Sequence, residues 1–290
     1  MAVGEGAGQT WFTEYHTDGI GMTFRVKEHL VRRQSPYQLI EIFDTVEYGK
    51  LLTLDGLVMI TDRDEHVYHE MMTHVPLLMH PNPKKVLVVG GGDGGCLREI
   101  IKHECVEKAV EVEIDGDVVE LCKEHFPAVA SAYSHPKVEL VVQDAIEYLR
   151  SVRGEFDIAI IDGSDPVGPA VGLFERSFFQ DIADALKPGG IMSCQIGSPL
   201  YSLDRIETTL KHWRAVFADA RLYLAQIPTY PSGVWGLGVA SKNVNGTLET
   251  PDRVRFLTFA DSLKYYNLDI HEGAFRLPEE VKRAANSRDA

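Results

Sequence analysis

The chain has 290 residues, 44% hydrophobic and 25% charged, enough for one large domain or a large and a small one with real buried cores. Its 29 basic and 43 acidic side chains leave a formal charge of −14, a field that disfavours nucleic acid and anionic membrane surfaces and favours cationic ligands. No apolar run approaches membrane-spanning length. The four cysteines, Cys96, Cys105, Cys122 and Cys194, lack Cys-x-x-Cys spacing and read as reduced, packed thiols of a cytoplasmic protein.

Residues 1–9 are rich in Gly and Ala; they carry no signal-peptide pattern and are expected to be disordered. Residues 10–62 read as short strands: 22–26 alternate apolar and polar, 39–43 are β-rich, and 51–54 and 57–60 flank Asp55 and Gly56. Asp-Gly between two apolar runs predicts a hairpin, because glycine accepts the positive φ of the turn. Residues 1–62 are therefore expected to form a small antiparallel β-domain. A helix over 62–78 follows, with Val67, Met71, Met72 and Val75 at helical spacing, and a linker at 81–83. The helix and linker at 63–83 join this domain to a catalytic domain that covers 63–290.

From residue 84 strands and helices alternate. Strands are expected at 86–89, 109–114, 138–142, 156–161 and 191–195, and helices at 96–103, 118–126, 145–151 and 178–186, the last closed by a turn at 187–190. A further helix over 204–217 leads to strands at 221–225 and 235–241, and the tail at 256–285 is expected to pack back. Strands that read through as apolar have both faces covered, which indicates a doubly wound, Rossmann-like parallel sheet in an α/β fold.

The first strand of that sheet runs into Gly90, Gly91, Gly92, Asp93, Gly94 and Gly95. Such a turn lets a backbone approach a ligand closely at the carboxyl end of a strand, although alone it is a weak signal that a tight connection also gives. The next strand ends in Glu113, Ile114 and Asp115, where an acid can hold a ribose diol, and the third at Gln143 and Asp144. Three consecutive polar strand ends indicate an adenosine-bearing ligand. Asp93 inside the turn would repel a pyrophosphate but stabilise an ammonium or sulfonium, which favours an S-adenosyl ligand over a nicotinamide dinucleotide.

The fourth strand ends at Asp162, followed by Gly163, Ser164, Asp165, Pro166, Val167, Gly168 and Pro169. The segment fits an Asx-turn loop. It also fits two carboxylates three apart that hold a cationic amine and take its proton, with the continuation to Leu173 as a lid. A primary alkylamine has a pKa of ~10.4 and must lose a proton before it attacks. Tyr68 and His69 on the joining helix fit core or site equally, and Tyr230 after a strand can bring a hydroxyl to the same edge. No histidine spacing suits zinc, and no Ser-His-Asp triad assembles. Gln38 carries no local signal.

At these residues the sequence resembles the spermidine synthases. The matching segments are Tyr37 and Gln38; Leu54 to Gly56; Arg63 to Glu65 with Tyr68 to Met71; the turn at 90–95; Glu113 to Asp115; the loop at 162–169; Pro228 to Gly233; and Lys264 to Asn267 with Ile270, His271, Ala274 and Phe275. They run in family order from about residue 11 to 280. The resemblance implies a sheet of the S-adenosylmethionine-methyltransferase type and transfer of an aminopropyl group from decarboxylated S-adenosylmethionine to putrescine, giving spermidine and methylthioadenosine. The nucleoside is a co-substrate, so no resident cofactor or metal is expected. Asp93 would then bind the amine of the aminopropyl arm, Glu113 the ribose hydroxyls, and Asp144 with Ala145 the adenine. Asp162 would accept the proton, while Asp165, His69 and Tyr68 would line the polyamine channel and Tyr230 would assist the attacking nitrogen. Gln38 and Pro169 match nucleoside-contacting positions. A homodimer or homotetramer built with the N-terminal domain is implied as well. Ala145 departs from the family's Asp-Gly pair, so a backbone contact there requires a negative φ. The rival readings are an amine N-methyltransferase, a polyamine-binding regulator and an aminopropyltransferase for cadaverine, agmatine or spermidine. Acceptor length would be set by walls near 195–201.

Overall fold

The computed structural model describes residues 4–6, 9–164, 172–242 and 250–287. Alternating side chains build the first sheet: β1 (Gly4–Gly6), β2 (Gln9–Thr17), β3 (Ile20–Gln34), β4 (Leu39–Thr45), β5 (Gly49–Leu54) and β6 (Leu57–Thr61), all antiparallel and in chain order. Asp55 and Gly56 join β5 to β6 with φ of 50° and 81°, the two left-handed residues of a tight hairpin. The central strand β4 is covered on both sides. Phe43 packs with Phe12, Phe24 and Leu51, whereas Ile40 and Ile42 face Val118, Leu121 and Phe126 of the second domain. Two expectations need correction. Gly4–Gly6 pairs with β2 instead of lying free, and β3 runs for 15 residues instead of forming a short strand.

Helix α1 (Glu65–Met79) begins three residues later than its apolar spacing predicts, because Thr61 still pairs in β6 and Asp64 stands at the N-cap. It is buried almost all round. Pro76 cannot donate to the Met72 carbonyl; Ser193 Oγ donates to that oxygen instead, at 3.1 Å.

The second sheet has the order β12-β13-β11-β10-β7-β8-β9. Strands β7 (Lys85–Gly90), β8 (Lys108–Glu113), β9 (Val138–Val142), β10 (Phe156–Asp162) and β11 (Leu186–Gly197) are parallel. Strands β12 (Asp219–Ala225) and β13 (Trp235–Ser241) close one edge antiparallel. Helices α2 (Gly95–Ile100), α3 (Gly116–His125), α4 (Ala145–Leu149), α5 (Arg176–Ala185) and α6 (Leu203–Arg214) alternate with the strands. The turn predicted at 187–190 belongs to the irregular start of β11, where the register against β10 jumps from Leu186 to Ile191. The tail carries α7 (Arg253–Phe256), α8 (Leu268–Ala274) and α9 (Glu279–Ala285) and packs back: Val281 and Ala285 join one face of the core, Phe259 and Tyr266 the other.

After β7 the chain builds β8 and β9 outward on one side, then returns to place β10 on the other. The gap between the carboxyl ends of β7 and β10 is the switch point where open α/β sheets hold ligands. Among the described residues no helix is long and apolar enough to cross a membrane.

Candidate active site

A cavity of about 310 Å³ opens at that switch point, with walls from both sheets. Glu14, Asp55, Asp93, Glu113, Asp144 and Asp162 line it, and among the described residues no Lys, Arg or His does. Six carboxyl groups around one cavity favour cationic ligands.

Asp93 and Asp162 share this space because the Gly-rich turn presses on the end of β10. Gly91 N donates to the Asp162 carbonyl at 3.0 Å, and at Gly90, with φ of 75°, a Cβ would collide with that same oxygen. Asp93 Oδ1 accepts from Gly95 N at 2.6 Å, at the start of α2. Asp162 Oδ1 accepts from the Tyr68 hydroxyl at 2.6 Å and its Oδ2 from the Cys96 thiol at 3.1 Å. Burial and then the Asp93 charge push the Asp162 carboxyl up, while His69, Tyr68 and Cys96 pull it back. Burial likewise raises the Cys96 thiol, which stays a neutral donor.

The turn is propped from below. The Tyr133 hydroxyl oxygen lies 3.0 Å from the Gly92 carbonyl and 2.6 Å from Glu111 Oε1. One phenolic proton cannot serve both acceptors. Burial pushes the Glu111 carboxyl well up, while the bond from Tyr133 pulls it back.

Of the acids at the end of β8, the structure separates two roles. Asp115 caps α3 and accepts from Ser35 Oγ at 2.6 Å and Gln38 Nε2 at 2.9 Å. Gln38 thus lies on the cavity wall with its amide engaged by Asp115. Glu113 lines the cavity, accepts from Asp115 N at 2.8 Å, and is pushed up to about 7 by burial first and the Asp115 and Asp162 charges after it. Asp144 caps α4 through Ile146 N at 2.8 Å while lining the cavity, and Ala145 opens that helix with a negative φ.

The opposite end is aromatic. Tyr68 and Tyr230 stand 5.8 Å apart by ring centroids, and Trp235 meets Tyr230 edge-on at 5.0 Å. The Tyr230 hydroxyl donates to the Met59 carbonyl at 2.8 Å, so its proton is already engaged and its oxygen remains an acceptor. Gln195 receives Trp235 Nε1 at 3.2 Å and donates to the Gly163 carbonyl at 3.1 Å. His69 is fully buried and stands against Asp93, outside the cavity lining. Asp165 and Pro169 lie outside the described residues.

Asp55 is expected from the sequence only as a hairpin residue, and Glu14, Trp235 and Cys96 are not singled out there as site residues. Glu14 carries the one usable signal, an acid at an inward position of β2 two residues after buried Phe12. Trp235 and Cys96 gave none.

Comparison with known proteins agrees with this geometry. The family model for the spermine/spermidine synthase domain matches residues 65–250, and that for the spermidine synthase tetramerisation domain matches 10–62. The polyamine aminopropyltransferase of Shouchella clausii is 44% identical over 273 residues, covering 94% of this chain and 98% of that protein. That of Methanocaldococcus jannaschii is 42% identical over 280 residues, covering 94% and 96%. A crystal structure of spermidine synthase with the transition state analogue AdoDATO superposes with a TM-score of 0.91 at 39% identity, covering 95% of this chain and 94% of that one. Spermidine synthase from Thermotoga maritima gives 0.89 at 39% identity over the same shares. With a family model across more than half its length and close relatives along nearly all of it, the chain belongs to the spermine/spermidine synthase family.

Proposed function

We propose that the chain is a spermidine synthase that transfers the aminopropyl group of decarboxylated S-adenosylmethionine to putrescine. The observation that carries this reading is the set of six carboxylates around one cavity, with Asp93 and Asp162 both facing it. The donor is a sulfonium with an ammonium arm and the acceptor a dication, so every charged part of both substrates meets an acid. Ordinary S-adenosylmethionine carries an extra carboxylate, which would face Asp93 unfavourably.

Asp93 would hold the donor's ammonium, Glu113 the ribose diol, and Asp144 with Ala145 the adenine, with Gln38 and Pro169 beside the nucleoside. Tyr68, Tyr230 and Asp165 would line the acceptor end. Glu14 adds a carboxylate close enough to Tyr230 to influence its hydroxyl, and suits the second ammonium of a diamine. Asp162 accepts the proton from the attacking ammonium; its raised affinity for protons suits that task. The neutral nitrogen then displaces the sulfur: an N–C bond forms, the C–S bond breaks, and the electron pair leaves on methylthioadenosine. Alignment and deprotonation supply the catalysis, and a sulfonium leaves without help from a resident cofactor or metal. We further propose a cytoplasmic enzyme with no nucleic-acid or membrane partner, assembled as a homodimer or homotetramer through the sheet of residues 10–62, the segment matched by the tetramerisation model.

Incubation with each nucleoside and a panel of di- and triamines, followed by mass analysis, tests the reading. Spermidine and methylthioadenosine in equal amounts are expected from the decarboxylated donor and putrescine. A methylated amine would transfer the assignment to methyl transfer, and preference for another amine would change the acceptor alone.

A further inference from the structure

Behind Asp93, on the side away from the cavity, polar side chains from α1 and α2 form an unbroken chain. His69 Nε2 lies 3.2 Å from Asp93 Oδ1, at ion-pair distance without the alignment of a hydrogen bond. Its Nδ1 lies 2.6 Å from Glu65 Oε2, one helical turn earlier. Glu65 accepts both arms of the Arg98 guanidinium, at 3.0 and 2.8 Å, and Arg98 Nε donates to Glu99 at 2.8 Å. The imidazole sits directly on the start of α2, where a Cβ at Gly95 would collide with its ring.

Both ring nitrogens therefore face carboxylate oxygens at full burial. A neutral imidazole has one N–H and would aim its remaining lone pair at an anion; an imidazolium offers a proton to each. Burial alone opposes the charge, but Asp93 and Glu65 outweigh it and raise His69 well above its ordinary value. Glu65 is in turn held down at about 2, against the effect of burial, by His69 and Arg98. The other groups near His69 are the Tyr68 ring, edge-on at 5.5 Å, and Asp162 from β10, which carries the Cys96 thiol.

We propose that Glu65, braced by Arg98, is a positioning residue: it holds His69 as a doubly protonated imidazolium against Asp93, which keeps that carboxylate aimed for the donor's ammonium arm. The role of Asp93 rests on the aminopropyl-transfer reading; the state of His69 does not. Without that imidazolium, Asp162 loses a nearby cation and takes up a proton at higher pH. His69 lowers the Asp162 value, so its discharge moves the acid limb of activity upward.

Nitrogen-15 histidine spectra of the full chain, with His69 assigned from its loss in His69→Asn, should show two protonated ring nitrogens from pH 6 to 9. In Glu65→Gln the ring should be neutral at pH 8. The acid limb of kcat/KM should rise by about one pH unit, the lower end of the effect of a charge at this distance. Donor KM should rise roughly tenfold while methylthioadenosine, which lacks the amine, binds within about threefold of wild type, as loss of one charge contact requires. Glu65→Asp, which withdraws the carboxylate from the ring, should produce the same shifts in weaker form, and replaces Glu65→Gln if that variant does not fold. A neutral His69 in the wild type at pH 7 overturns the proposal, as does a folded Glu65→Gln with an unmoved acid limb and donor KM. Absence of methylthioadenosine release from the wild type would defeat the transfer reading while leaving the His69 spectrum to stand.

Discussion

Replacing Asp162 by asparagine keeps shape and removes the proton acceptor. The amide oxygen can still accept from the Tyr68 hydroxyl, now at 2.6 Å from Oδ1. The amide nitrogen then faces the Cys96 sulfur in place of Oδ2, and the loss of that weak donor contact costs about 1 kcal/mol of stability. The fold is thus expected to survive. Turnover should fall by ~10² to 10⁴, the range of general-base loss and equivalent to about 3–5 kcal/mol of barrier. Neutral methylthioadenosine should bind nearly as before, since the residues proposed to hold its ribose and adenine lie elsewhere on the wall. The assay is rapid-quench mass analysis of spermidine at saturating substrates, with calorimetry of methylthioadenosine beside it. In the wild type, activity should open with pH above the ordinary carboxylate range, because burial and Asp93 raise the acceptor; in the variant that limb should vanish. Turnover within threefold of wild type, or a rate lost only when Asp165 is changed as well, refutes the assignment.

Glu113, pushed up to about 7 by burial, should bind a ribose diol best as a carboxylate, so methylthioadenosine affinity should rise with pH through about 7. Calorimetry in two buffers should detect the released proton, and Glu113→Gln should flatten the profile and weaken binding about tenfold. A wild-type affinity flat between pH 6 and 8 contradicts this. Glu111, raised well above its ordinary 4.5, favours the fold fully below the unfolded value and loses that contribution as pH rises toward the folded one. Glu111→Gln should therefore gain in Tm relative to wild type between pH 5 and pH 8; an equal difference at both refutes a neutral Glu111. Glu14→Gln should raise the KM for putrescine roughly tenfold with donor KM unchanged, and a reversed pattern would move Glu14 to the donor side.

What the sequence discloses about this site is whatever lies close along the chain. The turn at 90–95 and the acids at 113, 144 and 162 each end a strand, and a parallel sheet brings such ends to one edge, so their meeting follows from topology. Even there the pair Glu113 and Asp115 could not be divided by spacing, because the division depends on Ser35 and Gln38, 80 and 77 residues away from Asp115. The brace behind His69 is half legible: Glu65 lies at i−4 on the same helix, but Arg98 arrives from 33 residues downstream. Cys96 looked like a packed thiol, and it is one; its proton happens to point at Asp162. In the fold, length misled at β3, where alternation weakens before the strand ends, and at 187–190, where a turn-like Pro-Gly-Gly continues into β11 with a jump in register.

Asp115 has a bearing on how the molecule can move. One carboxylate there fastens the corner between β3 and β4 to the first turn of α3, and the apolar seam of Ile40 and Ile42 against that helix runs alongside. The two sheets are riveted at the corner beside Gln38, so entry and release of a bulky ligand must use some other stretch of the rim. A swap of the N-terminal segment between relatives would have to carry both Ser35 and Gln38 with it, or leave a buried carboxyl group without its two side-chain donors.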